Sequence, residues 1–503
     1  MDKFFFILTV AHFMSMGGIA LYGVHRLWLL TCWHRHGQNK RFMVNPPELP
    51  PMTRIPRVTV QVPLYNEPMV AARIIDAVAV LAWPREKLDI QILDDSTDQT
   101  REIVQQRIDY WVSRKIPISA ITRRSRTGYK AGALKNGMAV CKGEFIALFD
   151  ADFIPDPDFL EKTIPWFNHS NIGMVQARWT FLNKGYSWLT RLQALLLTPH
   201  FRIEHQIRSA RGLFFNFNGT AGVWRRRAIE TSGGWQDDTV TEDLDLSYRA
   251  QMAGWKFTYL DQVEVLSELP VTLADFRTQQ ERWAKGSIQT ARKILPRLIA
   301  SPLPLAVKIE GVAHLMTNLC WVFGFILTVT LYPVLIYRMH IGIYQVIWFD
   351  LPLFCISTGA ILIYYLIHGL RSGKKRFPWS LFVLPALSIG LAPCLALSVL
   401  KGMCQKGGVF DRTPKSGVSD LRKLKPALQG SQPRSIRALM LNLPIMLYSL
   451  LPLWLTWHQE TWAALPLVFV FPLGFMVVIG TDLHGLMQGY LSRHPWMNKR
   501  LNS

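Results

Sequence analysis

The chain has 503 residues, of which half are hydrophobic and only 18% are charged, so it is too apolar for a uniformly soluble protein. The formal net charge of +21 is compatible with nucleic acid, anionic lipid or a phosphorylated substrate as a partner. A nucleic-acid partner is not expected, because the chain has no helix-turn-helix pattern, zinc-finger spacing or aromatic RNA-binding motif.

The first predicted element is an apolar run from Phe4 to about Leu30. It is too long for the core of a signal peptide, which predicts a retained transmembrane anchor over residues 1–33. Basic residues follow between positions 34 and 41. The positive-inside rule therefore places the chain beyond the anchor in the cytosol.

A cytosolic domain is predicted over residues 50–270, where short β-rich runs alternate with helical patterns. Strands are expected within residues 57–67, 88–94, 118–123 and 144–150, and helices over 68–83, 99–113 and 130–141. Strands that alternate with helices indicate an α/β fold with a mostly parallel sheet.

Four aspartates follow predicted strands of this domain: Asp94, Asp95, Asp150 and Asp152. Ligands of open α/β sheets bind outside the carboxyl ends of the strands, where these acids meet. Carboxylates that converge repel one another unless a cation lies among them, and Mg²⁺ or Mn²⁺ held together with substrate phosphates suits oxygen ligands. Each aspartate taken alone is equally well explained as a helix cap or turn residue.

A second acidic cluster contains Glu242 and Asp243, just before a predicted helix. Negative charge at a helix N-terminus is favoured by the helix dipole, which is one explanation of the cluster. The other is catalytic, because a carboxylate near a reacting hydroxyl can act as a general base. The residues alone leave both explanations open.

The remaining chain contains a basic helix predicted over 271–300 and a transmembrane region predicted over 305–490. Apolar runs lie near 314–337, 346–369, 377–400, 436–456 and 462–484. Basic residues flank the 377–400 run on both sides, and a segment with two cytosolic ends cannot cross once. We therefore expect 377–400 to be re-entrant or interfacial, which leaves about four spans in this region and about five in all.

Seven segments together resemble glycosyltransferase family 2, with its nucleotide-sugar-binding GT-A fold. They occur in the family order and are Val62–Glu67, Leu93–Asp98, Gly128–Lys135, Phe149–Phe153, Phe217–Gly222, Thr241–Asp243 and Gln279–Trp283. The set is most similar to the processive synthases, namely bacterial cellulose synthases and plant cellulose-synthase-like A mannan synthases.

This resemblance implies a role for each matching residue. Asp94, Asp95 and Lys130 match positions that approach the nucleotide, and Asp150 and Asp152 match the DxD motif that meets the metal and diphosphate. The catalytic and acceptor-side matches are Glu242 and Asp243, the latter in the place of the general base, and Gln279, Arg282 and Trp283 of the QxxRW motif, which holds the acceptor end and the diphosphate.

The segment 405–418 contains a further match, because Phe410–Lys415 resembles the FxVTxK gating loop of cellulose synthases. It departs from that motif at Arg412, where the motif has valine. The resemblance implies a loop that closes over the nucleotide, with Phe410 in the motif and Thr413 and Lys415 nearest the phosphates. The alternative is a plain basic loop beside the membrane.

The resemblance implies an inverting, processive β-glycosyltransferase that extends a growing glycan of the mannan, glucomannan or glucan type. The segments Gly128–Lys135 and Val175–Trp179 are similar to the mannan-synthase branch and favour GDP-mannose as donor, with UDP-glucose as the alternative. Export of the product through the bilayer, accessory export subunits and a multi-pass location in a bacterial inner membrane are also expected.

Two other functions stay open. One is single addition of a sugar to a lipid acceptor, as in ceramide glucosyltransferases, and the other is a non-enzymatic membrane transporter or scaffold.

Overall fold

The computed structural model describes residues 2–37, 48, 55–339, 348, 351–371, 380–409, 413–415, 417, 432–460 and 462–493. Within these ranges, the strands are β1 Val58–Leu64, β2 Leu88–Asp94, β3 Ile118–Thr122, β4 Phe145–Leu148, β5 Ile172–Phe181, β6 Gly222–Arg225 and β7 Lys256–Ser267. The helices that precede or lie among the strands are α1 Asp2–Gly37, α2 Ala71–Ala79, α3 Thr100–Val112, α4 Tyr129–Val140, α5 Phe159–Thr163, α6 Trp188–Pro199, α7 Gln206–Ala210, α8 Arg226–Thr231 and α9 Glu242–Met252.

The helices that follow the sheet are α10 Leu273–Ala300, α11 Leu305–Leu315, α12 Leu319–Met339, α13 Leu351–Phe354, α14 Ala360–Arg371, α15 Ser380–Cys404, α16 Gln432–His458 and α17 Leu465–Arg493. Two π-helical turns, His200–His205 and Cys355–Gly359, join α6 to α7 and α13 to α14.

The seven strands form one sheet in the order β3-β2-β1-β4-β6-β5-β7. All neighbouring pairs are parallel except those of β6, which runs antiparallel to β4 and β5. The predicted α/β fold with a mostly parallel sheet is therefore confirmed, and the four predicted strands match β1 to β4. Strands β5, β6 and β7 were not predicted.

The strand order sets the distance between the acidic motif at Asp94 and Asp95 and the DxD motif at Asp150 and Asp152. Asp94 ends β2 and Asp150 follows β4, and β1 lies between these strands. Two strand spacings amount to about 9–10 Å, so the motifs lie at the same edge of the sheet but not side by side. The buried apolar side chains of β1, from Val58 to Leu64, hold this central strand in the core.

Six helices in the described part of the chain are long and apolar enough to cross a membrane: Lys3–Arg35, Leu319–Arg338, Pro352–Arg371, Val383–Cys404, Arg434–His458 and Leu467–Gln488. Five of them correspond to the spans predicted from the sequence. The sixth lies in α15, over the run expected to be re-entrant or interfacial.

Helix α15 differs from the other five in its surroundings. It is one continuous helix despite Pro385 and Pro393, and 67% of its most apolar window is buried inside the protein, against 17–39% for the others. It packs along α10, α12 and α17, and it also contacts α6 of the sheet domain. The expectation that residues 377–400 are re-entrant or interfacial stays a prediction.

Helix α10 is the expected helix of the 271–300 segment, and it joins the sheet domain to the apolar helices. Arg277 in its second turn forms a buried, bidentate ion pair with Asp482 of α17. At the other end of the helix, Gln289 donates to the carbonyl of Gly407 at 2.7 Å. The residues that follow α15 are thereby held against α10 and the sheet domain.

Candidate active site

One pocket at the carboxyl edge of the sheet brings together nine of the thirteen site residues predicted from the sequence: Lys130, Asp150, Asp152, Glu242, Asp243, Gln279, Arg282, Trp283 and Lys415. Asp94, Asp95 and Thr413 do not line it, and Phe410 lies outside the described residues. The pocket thus combines residues from the sheet edge, from α9, from α10 and from the segment after α15.

The two aspartates of the DxD motif each face a lysine. Lys130 Nζ lies 2.5 Å from Asp150 Oδ1, and Lys415 Nζ lies 2.8 Å from Asp152 Oδ2. Burial by itself would lower the pKa of both lysines, but the facing carboxylates outweigh burial and raise it. Both lysines are therefore charged at neutral pH, and two cations balance the DxD carboxylates.

The lysine contacts bear on whether a divalent metal fits here. No group of three or more His, Cys, Asp or Glu side chains suited to a metal occurs among the described residues. Mg²⁺ is commonly held by one or two carboxylates together with substrate phosphates. Asp150 and Asp152 therefore fit a divalent ion that arrives with a diphosphate.

Glu242 and Asp243 lie in the first turn of α9 and line the pocket, Glu242 buried and Asp243 half-buried. Asp243 Oδ1 accepts a hydrogen bond from the Leu244 backbone N–H at 2.8 Å, and Glu242 Oε1 lies 3.9 Å from Lys130 Nζ. Burial, and then the charge of Glu242, raise the pKa of Asp243 to about 7. A carboxyl group with such a pKa takes up and releases a proton near neutral pH.

Helix α10 brings the QxxRW residues to the same pocket. It packs closely on the residue before α9, because a Cβ added at Gly286 would lie 2.4 Å from Thr241 Cγ2. Burial lowers the pKa of Arg282, although Glu242 and other pocket carboxylates raise it in turn. An arginine remains protonated even so, and the half-buried Arg282 adds a positive charge to an acidic pocket.

Asp94 and Asp95 form hydrogen bonds and an ion pair with neighbouring loop residues. Asp94 is 2% exposed, and its Oδ1 accepts the Ser96 backbone N–H at 2.9 Å. Asp95 pairs with Arg123 through contacts of 2.8 and 2.5 Å, and Arg123 also donates to the carbonyl of Tyr129. Asp95 thus braces the start of α4, and a contact of either aspartate with a nucleotide stays a prediction.

Thr413 and Lys415 belong to the segment expected to act as a gate. Lys415 reaches the pocket across 263 residues of sequence from Asp152, and Thr413 is buried with no hydrogen-bond partner for Oγ1 among the described residues. The nearby Gly417 approaches the backbone of Met69 in the sheet domain. The described part of this segment therefore lies over the pocket, and its function as a gate stays a prediction.

Several pocket residues were not nominated from the sequence. Gly219 has a φ of 81°, and its carbonyl accepts a hydrogen bond from Lys130 Nζ at 2.9 Å. Asn218 and Trp179 also line the pocket. All three lie in segments that carried the family resemblance, so the signal was present, but nothing local shows which members of a motif face the pocket.

Comparison with known proteins shows what the chain is similar to. Residues 56–286 match the model of glycosyltransferase like family 2. Glucomannan 4-beta-mannosyltransferase 7 of Arabidopsis thaliana is 46% identical over 251 residues, which cover 49% of this chain and 45% of that protein. Glucomannan 4-beta-mannosyltransferase 1 of Oryza sativa subsp. japonica is 45% identical over 275 residues, 53% of each chain. The chain thus spans about half the length of the curated relatives it matches.

Among solved structures, the mannosyltransferase PcManGT from Pyrobaculum calidifontis, in complex with GDP-Man and Mn²⁺, has a TM-score of 0.52 at 21% sequence identity. The likeness covers 79% of this chain and 98% of that one. It confirms the predicted fold class of the sheet domain.

Proposed function

We propose that this chain, whose residues 56–286 form a glycosyltransferase family 2 domain, is an inverting hexosyltransferase that extends a β-linked glycan from a sugar nucleotide. GDP-mannose is the proposed donor, and the product is of the mannan or glucomannan type. The function rests on the family match together with the chemistry of the pocket.

The observation that carries the proposal is the position of Asp243. Its half-buried side chain lies beside Glu242, has a pKa of about 7 and shares one pocket with the DxD pair and Arg282. A general base for a sugar hydroxyl needs a pKa near the working pH. In a single in-line displacement Asp243 takes the acceptor proton, and an α-linked donor gives a β-linkage.

The opposite side of the pocket suits the leaving diphosphate. Asp150 and Asp152 would hold a divalent ion that arrives with the diphosphate, and such an ion would supply charge neutralisation on the leaving group. Lys130, Lys415 and Arg282 contribute further positive charge to the same region. Positive groups fixed where negative charge develops stabilise a transition state more than the ground state.

Sugar-binding groups line the pocket beside these charges. Gln279 Oε1 and Trp179 Nε1 are buried polar atoms without a hydrogen-bond partner among the described residues. Buried polar atoms are rarely left unpaired. The acceptor Gln279 Oε1 and the donor Trp179 Nε1 are therefore suited to hydrogen bonds with sugar hydroxyls. Trp283 and Trp179 offer ring faces on which a glycan can lie. We assign this side of the pocket to the growing acceptor chain.

The donor is proposed from likeness. The curated relatives are named as glucomannan 4-beta-mannosyltransferases, and the solved mannosyltransferase was determined with GDP-Man and Mn²⁺. These names support GDP-mannose over UDP-glucose and make Mn²⁺, as well as Mg²⁺, a metal to test.

The apolar helices place the enzyme in a membrane, and we propose that the sheet domain faces the cytosol. The basic residues after α1 support this orientation. The curated relatives are plant proteins, so the comparisons give no support to the expected bacterial inner membrane. Export through the apolar helices and accessory subunits remain part of the proposal.

The test is transfer by the purified protein in detergent or nanodiscs. Radiolabelled GDP-mannose and UDP-glucose are supplied separately with Mg²⁺ or Mn²⁺, and products are sized before and after digestion with an endo-β-mannanase. We expect mannanase-sensitive chains from GDP-mannose. A single-sugar glycolipid would defeat processivity, and failure to use any sugar nucleotide would defeat the enzyme assignment.

The variant Asp243→Asn tests the proposed base in the same assay. Transfer is expected to be abolished while GDP binding is retained, because the amide keeps the shape but cannot take the proton. Asp109→Asn is the matched control, because Asp109 is exposed on α3, far from the pocket residues in the sheet order. Normal turnover by Asp243→Asn would remove Asp243 from the base role.

A further inference from the structure

We propose that Asn218 is a positioning residue, whose side-chain amide is clamped by His200 and His205 and thereby fixes the turn that contacts Lys130 and Asp243. The inference rests on the proposed function for its consequence in catalysis. The clamp itself rests on the hydrogen bonds described below.

The clamp has a defined direction of hydrogen bonding. His205 Nε2 lies 2.6 Å from Asn218 Oδ1, His200 Nε2 lies 3.1 Å from Asn218 Nδ2, and His200 Nδ1 lies 3.1 Å from Glu204 Oε2. A carboxylate only accepts, so His200 Nδ1 carries the hydrogen and a neutral His200 accepts at Nε2. Asn218 must then donate to His200 and accept from His205. A flipped amide would require a doubly protonated His200.

The charge on Glu204 is what imposes this direction, and the structure secures that charge. Burial by itself would raise the pKa of Glu204, but Arg26 outweighs burial and the pKa lies well below its ordinary value. Arg26 pairs with Glu204, and Arg208 lies 3.3 Å from it. Arg208 also binds Glu310 at 2.7 Å, and His25 lies 2.8 Å from the same glutamate. Two residues of α1 thus brace the clamp.

His205 is held in its neutral form, as the clamp requires. Burial places the pKa of His205 well below its ordinary value. The two imidazole rings lie 4.3 Å apart between centroids. The His205 ring is therefore uncharged, and its Nε2 donates to Asn218 Oδ1.

Asn218 precedes Gly219 in the chain, and Gly219 lies beside the pocket residues Lys130 and Asp243. The carbonyl of Gly219 accepts from Lys130 Nζ at 2.9 Å, and the φ of Gly219 is 81°. A Cβ at Gly219 would lie 2.9 Å from Asp243 Oδ2 and 3.3 Å from Lys130 Nζ. A rotation of the Asn218 backbone would move this carbonyl away from Lys130 and change the surroundings of Asp243.

A matched pair of substitutions at His200 tests the clamp. In His200→Gln, the amide oxygen can replace imidazole Nε2 as the acceptor for Asn218, whereas His200→Leu offers no acceptor. We expect His200→Leu to lower kcat by about 10-fold to 100-fold, as small displacements of reacting groups do. His200→Gln should stay within a few-fold of the unmodified protein, and GDP binding should be similar in both.

Hydrogen–deuterium exchange of a peptide that covers 217–221 gives a readout independent of turnover. Exchange is expected to rise in His200→Leu and in Asn218→Ala, which breaks the clamp from its other side, and to stay near the unmodified value in His200→Gln. Unchanged exchange in both disruptive variants overturns the clamp, and so do equal kcat losses for the two His200 variants. An unmodified protein that transfers no sugar defeats the proposed function, while the exchange result still decides the clamp.

Discussion

Replacing Asp243 by asparagine is expected to make the folded protein more stable at alkaline pH even though it removes activity. Burial and the neighbouring Glu242 raise the pKa of Asp243 from its ordinary value of 3.8 to about 7. A carboxyl group with a raised pKa in the folded state favours folding at low pH, and this advantage is lost as the pH rises through the folded pKa. Above pH 7 Asp243 is ionised in the folded protein, and its partly desolvated charge lowers the free energy of unfolding.

The magnitude follows from the two pKa values. The difference between 3.8 and about 7 corresponds to about 4 kcal/mol at pH 8, since each pH unit is about 1.36 kcal/mol. Asparagine is neutral at every pH and avoids this cost. A gain of several degrees in Tm is expected, because about 1 kcal/mol shifts a domain of 150–250 residues by about 2–4 °C.

The assay is thermal unfolding of the detergent-solubilised protein, followed by intrinsic fluorescence at pH 5, 6, 7 and 8. The Tm difference between Asp243→Asn and the unmodified protein should grow from pH 5 to about pH 7 and then level off. Asp245→Asn provides a control of opposite sign on the same helix. Asp245 lies 2.8 Å from Arg249 and 3.0 Å from Lys293, and removing one partner of a buried pair is destabilising.

The reasoning would be refuted by a Tm difference that is the same at pH 5 and pH 8. It would also be refuted by an Asp243→Asn protein that is less stable than the unmodified one at pH 8. Either result would mean that the folded protein stabilises the ionised form of Asp243, so that its pKa is not raised. The general-base assignment would then lose its physical basis.

Two further predictions concern the walls of the pocket. Lys415→Met should raise the affinity of the donor-free protein for Mn²⁺ by about 10-fold to 150-fold, measured by electron paramagnetic resonance. The reason is that a charged hydrogen bond worth about 1.5–3 kcal/mol no longer competes for the same carboxylate. An unchanged affinity would show that the lysine and the metal do not compete. Gly286→Ala should lower both Tm and kcat, because its Cβ would lie 2.4 Å from Thr241 Cγ2. Gly185→Ala is the control, because a Cβ there meets open space and should change neither quantity. Equal effects of the two substitutions would contradict this packing argument.

The strands and helices of the sheet domain were predictable because their signals are local. The apolar runs at 57–67 and 88–94 became β1 and β2, and the helix expected over 130–141 is α4, Tyr129–Val140. Alternation of such elements restricts the domain to a mostly parallel sheet with short connections. No strand was predicted after residue 150, so β5, β6 and β7 were recognised only in the structure, and length does not explain this, since β4 and β6 both have four residues.

The membrane helices were also visible as long apolar runs, but their surroundings were not. The flanking charges of α15 argue against a single crossing, and the structure adds that this helix is mostly buried against α10 and its neighbours. Hydropathy records how apolar a helix is. It does not record whether lipid or protein covers the apolar faces.

The acidic motifs illustrate the same limit at the site. Positions after strands predicted that Asp94, Asp95, Asp150 and Asp152 converge at one edge, and two of these, Asp150 and Asp152, line the pocket. Asp95 instead pairs with Arg123, because the two are brought together by adjacent strands rather than by any motif. A motif thus indicates the edge at which a residue lies, while its partner depends on the neighbouring strand.

The sequence by itself determined the α/β domain, the apolar helices and the acidic motifs at the carboxyl edge of the sheet, since each depends on local pattern or on the order of motifs. The tertiary structure decided which carboxylates share the pocket, that Lys415 reaches Asp152 across 263 residues, and that α1 braces the clamp around Asn218. These contacts join segments far apart in the chain. Their energies come from burial and charge in the folded protein, so no local pattern in the sequence records them.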